Sequence, residues 1–468
     1  MAEQAAEQTQ YEKMTKTPIP RLVTVLAVPT IISMLTTAIY NMADTFFVSQ
    51  LGTSAAGAVG IVFSLMAIIQ AVGFMLGMGS GATISRLLGQ QEHREANRVG
   101  STAFFTALAV GLAITAAGLL WGDGLLRVLG ATNTILPYAR SYAQYILFGA
   151  PVMCASFVLN NILRSQGRAT LSMIGIATGG VLNIALDPIC IFVFDWGIAG
   201  AAIATLFSQC LSFCIMLGFF LCGKSTVRLS FRSISLKGST YWVIVKTGLP
   251  SLFRQGLASI ATVALNVSAA PYGDPAIAAM SIVGRIMMFV GSAMIGFGQG
   301  YMPVVGFNYG AKKFDRVRHA FRFAMTVGTV LLGVLGVAGF LLAPHVLALF
   351  RADDPQVIEI GTFALRAQCA TLIFQPVTIL SNMTFQTVGR SWQATFISSC
   401  RQGVFFLPFI LILPALFGLT GLEITQSVAD ICTFVCCFPF LAGYFRDLKR
   451  QEAEAAVPGS LRETVTAV

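Results

Sequence analysis

The sequence predicts an all-α polytopic membrane protein, with twelve transmembrane helices in two six-helix lobes that are related by a parallel internal repeat. Hydrophobic residues make up 56% of the 468 residues and charged residues only 11%, whereas a soluble domain carries about 25% charged residues. The apolar residues also form long runs, and about 20 apolar residues suffice to span a bilayer. A proline and several glycines of the first half of the chain recur in the second half at one constant offset in residue number, which indicates an internal repeat.

The long apolar runs are separated by short polar loops, and together they predict the positions of the helices. A membrane β-barrel would need strands of about ten residues with alternating polarity, and the sequence lacks that alternation. The predicted helices cover residues 21–49, 54–88, 97–121, 138–163, 169–194, 198–222, 241–270, 276–303, 318–343, 359–385, 392–417 and 421–445.

Charged residues in the loops predict how the helices are oriented. The chain has 30 Lys and Arg against 20 Asp and Glu, a formal net charge of +10, and the basic residues cluster after predicted helices 2, 6 and 8. Short cytoplasmic loops are enriched in Lys and Arg, so both termini are expected to be cytoplasmic. This distribution also explains the basic composition without a nucleic-acid partner. The polar first twenty residues lack the apolar core of a cleaved leader.

A constant offset in residue number, the one that leads from Pro29 to Pro250, relates the two halves of the chain. We call it the repeat offset. It spans six helices, an even number, so both halves enter the membrane from the same side, as parallel repeats do. The other pairs that it matches are Gly52 and Gly273, Gly77 and Gly298, Gly79 and Gly300, Gly89 and Gly310, Gly197 and Gly418, and Gly200 and Gly421.

The repeat and the loops predict the domain organisation. Two lobes around a central cavity are typical of transporters that open alternately to each side. The predicted segments are a cytoplasmic tail (1–20), an N-lobe (21–222), a cytoplasmic linker (223–240), a C-lobe (241–446) and a second cytoplasmic tail (447–468).

Two acidic residues within predicted N-lobe helices are candidates for ion coupling. A charge at the centre of a span costs at least about 2.5 kcal/mol on insertion scales, so such residues are usually functional. Asp44 shares a helix face with Tyr40, and Asp187 shares one with Asn183. Pro188 disturbs the backbone hydrogen bonding beside Asp187. The alternative is that each carboxylate only forms hydrogen bonds to neighbouring helices.

Predicted helix 6 adds further oxygen atoms to this candidate site. Ala201 and Thr205 are four residues apart and therefore share a face. Two carboxylates, an amide, a hydroxyl and a carbonyl suit either a hard cation or protons, because neighbouring acids in a low dielectric do not ionise together.

The predicted C-lobe helices contain several arginines and one deep acid, Asp430. Buried arginines must be paired, hydrated or exposed to a cavity. The favoured interpretation is a structural scaffold, with Arg401 or Arg366 paired with Asp430. The alternative is a positive wall, including Arg254 and Arg285, that meets an anionic substrate.

Several short motifs follow one another in a fixed order along residues 20–446. They are Asp44-Thr45-Phe46-Phe47, Leu51-Gly52, Leu182-Asn183, Asp187-Pro188, Gly248-Leu249-Pro250-Ser251, Arg254-Gln255, Gly296-Phe297-Gly298-Gln299-Gly300 and Gly306-Phe307-Asn308-Tyr309-Gly310-Ala311. In this order they resemble the multidrug and toxic compound extrusion (MATE) family, and most of all its DinF-type branch of bacterial drug exporters.

The resemblance implies a bacterial inner-membrane antiporter that exports cationic or amphipathic drugs in exchange for H⁺ or Na⁺ by alternating access. Because one chain contains both lobes, we expect it to function as a monomer. The resemblance implies no cofactor other than the coupling ion and no enzymatic activity. The implied coupling residues are Asp44, Asn183, Asp187, Ala201 and Thr205, with Na⁺ held by Asp44, Asn183, Asp187 and Thr205. The candidate substrate-binding residues are Tyr40, Asn160, Asn161, Pro29, Met34, Arg254, Gln255 and Arg285.

Two other function classes are alternatives to drug export. A flippase for lipid-linked saccharides or phospholipids is the alternative, because of the intramembrane arginines, although such proteins often have more than twelve helices. A membrane-embedded enzyme lacks support, since no nucleophile–base pair or HExxH motif is present. The C-lobe acids of the NorM-type branch are also absent, which argues against a C-lobe Na⁺ site.

Overall fold

The computed structural model describes residues 2–51, 53–129, 131–350 and 354–456, and every regular element in these ranges is helical. The first half contains α1 (Ala2–Lys16), α2 (Ile19–Ser49), α3 (Thr53–Gly89), α4 (His93–Leu120), α5 (Gly122–Val128), α6 (Leu136–Ser165), α7 (Ala169–Pro188) and α8 (Gly197–Leu221). The second half contains α9 (Gly238–Ala269), α10 (Asp274–Gly310), α11 (Phe314–Phe350), α12 (Pro355–Thr371), α13 (Gln375–Val388), α14 (Ser391–Ser399), α15 (Phe406–Phe417) and α16 (Leu419–Ala456).

The twelve predicted spans are all present as helices. Within the described residues, eleven helical segments are long and apolar enough to cross a membrane. The twelfth is α9, which has 32 residues but carries Lys246 and Arg254 and is less apolar. Two helices were not expected from the sequence, α1 in the polar tail and the short α5. The predicted linker is shorter than expected, because α9 begins at Gly238. The end of the predicted C-terminal tail (457–468) lies outside the described residues.

Three spans contain an irregular turn. A π-turn, Ile189–Val193, continues α7, and a second π-turn, Cys400–Val404, joins α14 to α15. A 3₁₀ turn, Leu372–Phe374, joins α12 to α13. Both π-turns fall in the fifth span of their lobe, and π-turns often lie at functional positions.

The interface between the lobes follows the repeat offset found in the sequence. Gly89 packs against the backbone of Phe307, and Gly310 packs against the backbone of Arg86. The repeat offset exchanges these two pairs, since it leads from Gly89 to Gly310 and also from Arg86 to Phe307. The interface is therefore nearly self-complementary, as expected for a two-fold axis. The matched Gly52 lies outside the described residues.

Four long helices form most of this interface. On one side Gly248 of α9 packs against the backbone of Met75 of α3. On the other, Thr30 Oγ1 of α2 donates a hydrogen bond of 2.7 Å to the carbonyl of Gly296 of α10. Small residues allow helix backbones to approach this closely within a membrane.

The lobes meet at one end of the bundle and diverge toward the other. We call the first the basic end, because it carries the loops 90–92, 222–237 and 311–313; α3 and α10 end there, and α2 and α9 begin there. Further from the basic end, the face of α9 that contains Gly248 becomes exposed at Ser259 and Thr262, and the face of α10 that contains Gly296 becomes exposed at Arg285. The space between these faces is the open cleft.

Helix α1 contacts both lobes at the basic end. Gln10 Nε2 donates a hydrogen bond of 2.6 Å to the carbonyl of Gln166 in the N-lobe. Asn308 Nδ2 in the C-lobe donates one of 3.1 Å to the carbonyl of Met14. Further bonds from the C-lobe join Lys313 Nζ to the carbonyl of Thr15 (3.1 Å) and Arg316 Nη2 to the carbonyl of Thr17 (2.6 Å). Helix α1 thus stabilises the arrangement in which the basic end is closed.

Adding a methyl group at Gly310 should weaken lobe closure. In Gly310→Ala the new β-carbon collides with the Arg86 backbone, and overpacking of this kind costs about 1–3 kcal/mol. We expect a lower thermal unfolding temperature in detergent. Gly284→Ala on the same helix is the control, because the space around Gly284 is open. Equal unfolding temperatures would contradict the proposed tight contact.

Candidate functional site

Side chains from four N-lobe helices converge on a buried polar cluster, which we call the N-lobe cluster. Tyr142 Oη of α6 donates a hydrogen bond of 3.4 Å to Asp44 Oδ2 of α2. Asn183 Nδ2 of α7 lies 3.2 Å from both Asp187 Oδ1 and Thr205 Oγ1 of α8. All five side chains are buried, and Asp187 is fully inaccessible.

The acids of the N-lobe cluster have no counter-ion. Among the described residues, no Lys, Arg or His forms an ion pair with Asp44 or Asp187. The two carboxylates lie close enough for their charges to interact. Three oxygens in the cluster, Asp44 Oδ1, Asn183 Oδ1 and Asp187 Oδ2, are buried without a hydrogen-bond donor. Buried polar atoms in this state call for a proton or a bound cation.

The donor set fits a monovalent cation or protons. The described residues contain no group of three or more His, Cys, Asp and Glu side chains that could hold a metal. The N-lobe cluster instead offers two carboxylates together with the neutral oxygens of Asn183 and Thr205. Oxygen ligands of this kind suit hard cations, and the two carboxylates equally suit shared protons.

The position of Asp187 depends on the backbone irregularity that follows it. Pro188 supplies no N–H to the helix, and the chain continues as the π-turn. Phe194 N then donates to the carbonyl of Ile189 at 2.9 Å. Gly200 packs directly on the backbone of Cys190, and the neighbouring Ala201 is fully buried. The close approach of α8 keeps Thr205 beside Asn183.

Two residues near the N-lobe cluster were missed from the sequence. Tyr142 lies close to the start of a predicted helix, where tyrosines are common at the membrane interface, so it carried no distinct signal. Gln209 lies one turn after Thr205 and is close enough to interact with Tyr40, which also interacts with Asp44. The predicted Tyr40 is therefore adjacent to the N-lobe cluster, on the face it shares with Asp44.

Asn160 and Asn161 lie far from the N-lobe cluster. They follow Tyr142 by 18 and 19 residues, or about 27 Å of helical rise. Asn160 Nδ2 donates to Ser172 Oγ at 2.5 Å and joins α6 to α7. Asn161 Nδ2 donates to the carbonyl of Phe157 at 2.7 Å. Both therefore sit in helix contacts toward the basic end rather than beside the acids.

Pro29 and Met34 lie on α2 on either side of Thr30, the residue that contacts the other lobe. Pro29 is buried, and Met34 is half-buried. Pro29 directly precedes Thr30, which bonds to the other lobe.

The deep acid of the C-lobe is neutralised within the chain. Arg401 Nε donates to Asp430 Oδ1 at 2.8 Å. Gln426 Nε2 donates to the same oxygen at 2.9 Å, and Gln375 Nε2 donates to Oδ2 at 3.2 Å. Arg366 is not the partner of Asp430, because its Nε donates to the carbonyl of Phe340 on the outside of the lobe.

Three predicted substrate residues lie on the C-lobe side of the cleft. Arg285 is exposed and precedes Gly296 by eleven residues, three helical turns, so it lies on the face turned toward the N-lobe. Gln255 follows Gly248 by seven residues and lies on the corresponding face of α9. Arg254 is half-buried, and no described side chain forms a hydrogen bond or ion pair with it.

Two parallel six-helix repeats that enclose a cleft, with uncompensated acids in one lobe, define a polytopic membrane transporter. The family model MatE matches residues 29–189 and 250–412, one block in each lobe. The chain therefore belongs to the multidrug and toxic compound extrusion family, as its motifs predict.

Known proteins resemble the chain over nearly its full length. It is 29% identical over 417 residues to the multidrug export protein MepA of Staphylococcus aureus, which covers 89% of this chain and 92% of the relative. A solved outward-facing multidrug resistance MATE family transporter is 27% identical, with a TM-score of 0.89 over 93% of this chain and 98% of that one. A crystal structure of MATE in complex with MaL6 gives 27% identity and a TM-score of 0.89, over 94% and 99% of the two chains.

The Arg401–Asp430 pair predicts a pattern of mutational rescue. Removing one partner leaves the other charge buried and should cost about 3 kcal/mol, the low end for buried pairs, since the Arg401 side chain keeps 30% exposure. We expect Arg401→Gln and Asp430→Asn each to lower the thermal unfolding temperature in detergent. The double variant should regain most of the loss. If the double variant loses as much stability as the two single variants together, the two charges act independently.

Proposed function

We propose that the protein is a secondary active antiporter that exports cationic or amphipathic small molecules in exchange for H⁺ or Na⁺. The observation that carries this proposal is the pair Asp44 and Asp187, buried together without a counter-ion and with oxygens that lack donors. A proton or Na⁺ would supply the missing positive charge. The name of the related MepA, a multidrug export protein, supports the substrate class.

The basic loops support an orientation with the basic end in the cytoplasm of a bacterial cell. Both α1 and the end of α16 lie on that side, so both termini would be cytoplasmic. The open cleft then faces the outside, which agrees with the similarity to an outward-facing transporter. One chain contains both lobes and the cleft, which supports function as a monomer.

Coupling requires that the cation bind one orientation of the lobes better than the other. In the arrangement described, the N-lobe cluster lies in the half of the molecule where the lobes diverge, on the side that would face the outside. Neutralising Asp44 and Asp187 removes their mutual repulsion and changes the packing of α2 against α7. Helix α2 also contacts the other lobe through Thr30, so it connects the ion to lobe closure.

Efflux of ethidium from loaded proteoliposomes tests the proposal. The vesicles receive either a pH gradient or a Na⁺ gradient, and ethidium fluorescence reports the rate. Efflux under one gradient identifies the coupling ion, because only the ion that binds the N-lobe cluster can drive transport. Absence of efflux under both gradients, from correctly inserted protein, would contradict drug antiport and favour the lipid flippase.

Replacing a carboxylate in the N-lobe cluster should abolish the coupling. In Asp187→Asn we expect gradient-driven efflux to fall to the level of protein-free vesicles, because the neutral amide cannot take up a proton or balance Na⁺. Asp195→Asn is the matched control, an exposed acid eight residues along the same segment. If Asp187→Asn exports ethidium at the rate of this control, the proposed ion site is wrong.

A further inference from the structure

A second set of charges without partners lies where the two lobes converge. Arg164, near the end of α6, is 3% exposed and bonds only to neutral atoms: Gln299 Oε1, Asn161 Oδ1 and Met78 Sδ. Arg254 of α9 lies within electrostatic range of Arg164. These neutral acceptors take three of the five N–H groups of Arg164 and leave its charge uncompensated.

Among the described residues, no acidic side chain forms an ion pair with either arginine. Helices α3, α6, α9 and α13 contain neither Asp nor Glu. The only acid of α10 is its first residue, Asp274, which is 25 residues from Gln299 and so about 37 Å away along the helix. The only acid of α2 is Asp44, in the N-lobe cluster. Two like charges close together in an apolar bundle repel each other, and a bound anion would stabilise both.

An unused hydrogen-bond donor points to the same conclusion. The side chain of Gln299 is 2% exposed, and its Oε1 accepts from Arg164. Its Nε2, in the same planar amide, is buried and has no acceptor among the described residues. Two guanidinium groups and a free amide donor therefore lie close together. No described atom accepts hydrogen bonds from all three groups.

The surroundings of these donors are apolar and adaptable. Met78, which contacts Arg164, belongs to a small cluster of buried residues separate from the main core; the others are Ala82, Met302 and Met383, with Phe74, Ile295 and Ile379 packed against them. Methionine side chains adapt to varied apolar shapes. A small hydrated ion gains little from such a wall, whereas an organic molecule with an apolar body can pack against it.

We propose that the convergence of the lobes holds an anion-binding site, formed by Arg164, Arg254 and Gln299, that takes the carboxylate of an amphipathic substrate. The guanidinium fork matches the two carboxylate oxygens, and the methionine-rich wall takes the apolar body. Arg254, which is half-buried, would make the first contact, and the buried Arg164 and Gln299 would complete the site. This inference rests on the proposed export function and narrows its substrate class.

Two rhodamine dyes provide matched probes: rhodamine 110 carries a free carboxylate, and rhodamine 123 is its methyl ester. We expect wild-type proteoliposomes to export the carboxylate dye and Arg254→Gln to slow that export about tenfold or more, as expected for a lost charge-assisted bond. Export of the ester should change less than about twofold, because it lacks the anion. Arg254→Lys should retain part of the carboxylate export, since it preserves the charge.

Arg366→Gln is the control for loss of one positive charge, because Arg366 lies on the outside of the C-lobe. Binding of both dyes to the detergent-purified full chain, followed by fluorescence anisotropy, gives a readout independent of transport. If neither dye is exported but Arg254→Gln selectively weakens binding of rhodamine 110, the export function fails and the anion site stands. Equal effects on both dyes, or none, would overturn the anion site.

Free chloride is the other source of an anion at this position. Replacing chloride with methanesulfonate on both sides of the membrane separates the two sources. If the protein still exports rhodamine 110 in preference to rhodamine 123 without chloride, the result supports binding of the substrate carboxylate at this site. Export of both dyes that collapses without chloride, with no preference between them, would assign the site to chloride and overturn the proposed substrate class.

Discussion

A charge inside an apolar helix bundle must find a partner, and this constraint explains where the chain places its ionisable residues. In the C-lobe the chain supplies the partner itself, since Arg401 neutralises Asp430. In the N-lobe Asp44 and Asp187 have none, and at the convergence of the lobes Arg164 and Arg254 have none among the described residues. The uncompensated sites therefore have opposite signs and separate locations, as expected if different ligands occupy them at different stages of a transport cycle.

The internal repeat determines how the helices of the two lobes are arranged. It does not determine which polar side chains each lobe carries. Contacts between the lobes, such as Gly89 with Phe307 and Gly310 with Arg86, obey the repeat offset. The same offset relates Met78 to Gln299, two residues that both contact Arg164 but differ in polarity. A symmetric interface of small residues allows two rigid lobes to rock against each other. The asymmetric side chains give the two lobes different polar groups.

The sequence predicts the features that depend on composition, spacing and the rarity of charge in a membrane. These include the twelve spans, the repeat and the acids Asp44 and Asp187. Hydropathy does not predict α1, because it detects apolar spans and this helix is polar. The sequence also misses Tyr142 and Arg164, since residues near a predicted helix end carry no sign of burial. Whether Arg401 or Arg366 pairs with Asp430 depends on the π-turn, which residue spacing alone does not reveal.

Helix α2 is the element through which ion binding and lobe closure can influence each other. Asp44 and Thr30 lie 14 residues apart on this helix, about 21 Å by helical rise. Thr30 bonds to the C-lobe, and the preceding Pro29 removes one backbone hydrogen bond at that turn. A change in α2 at the N-lobe cluster is thus transmitted along a continuous helix to a turn that is already weakened. Because Asp44 and Thr30 lie on one helix, such coupling is possible. It also requires that the cation bind one arrangement of the lobes more tightly than the other.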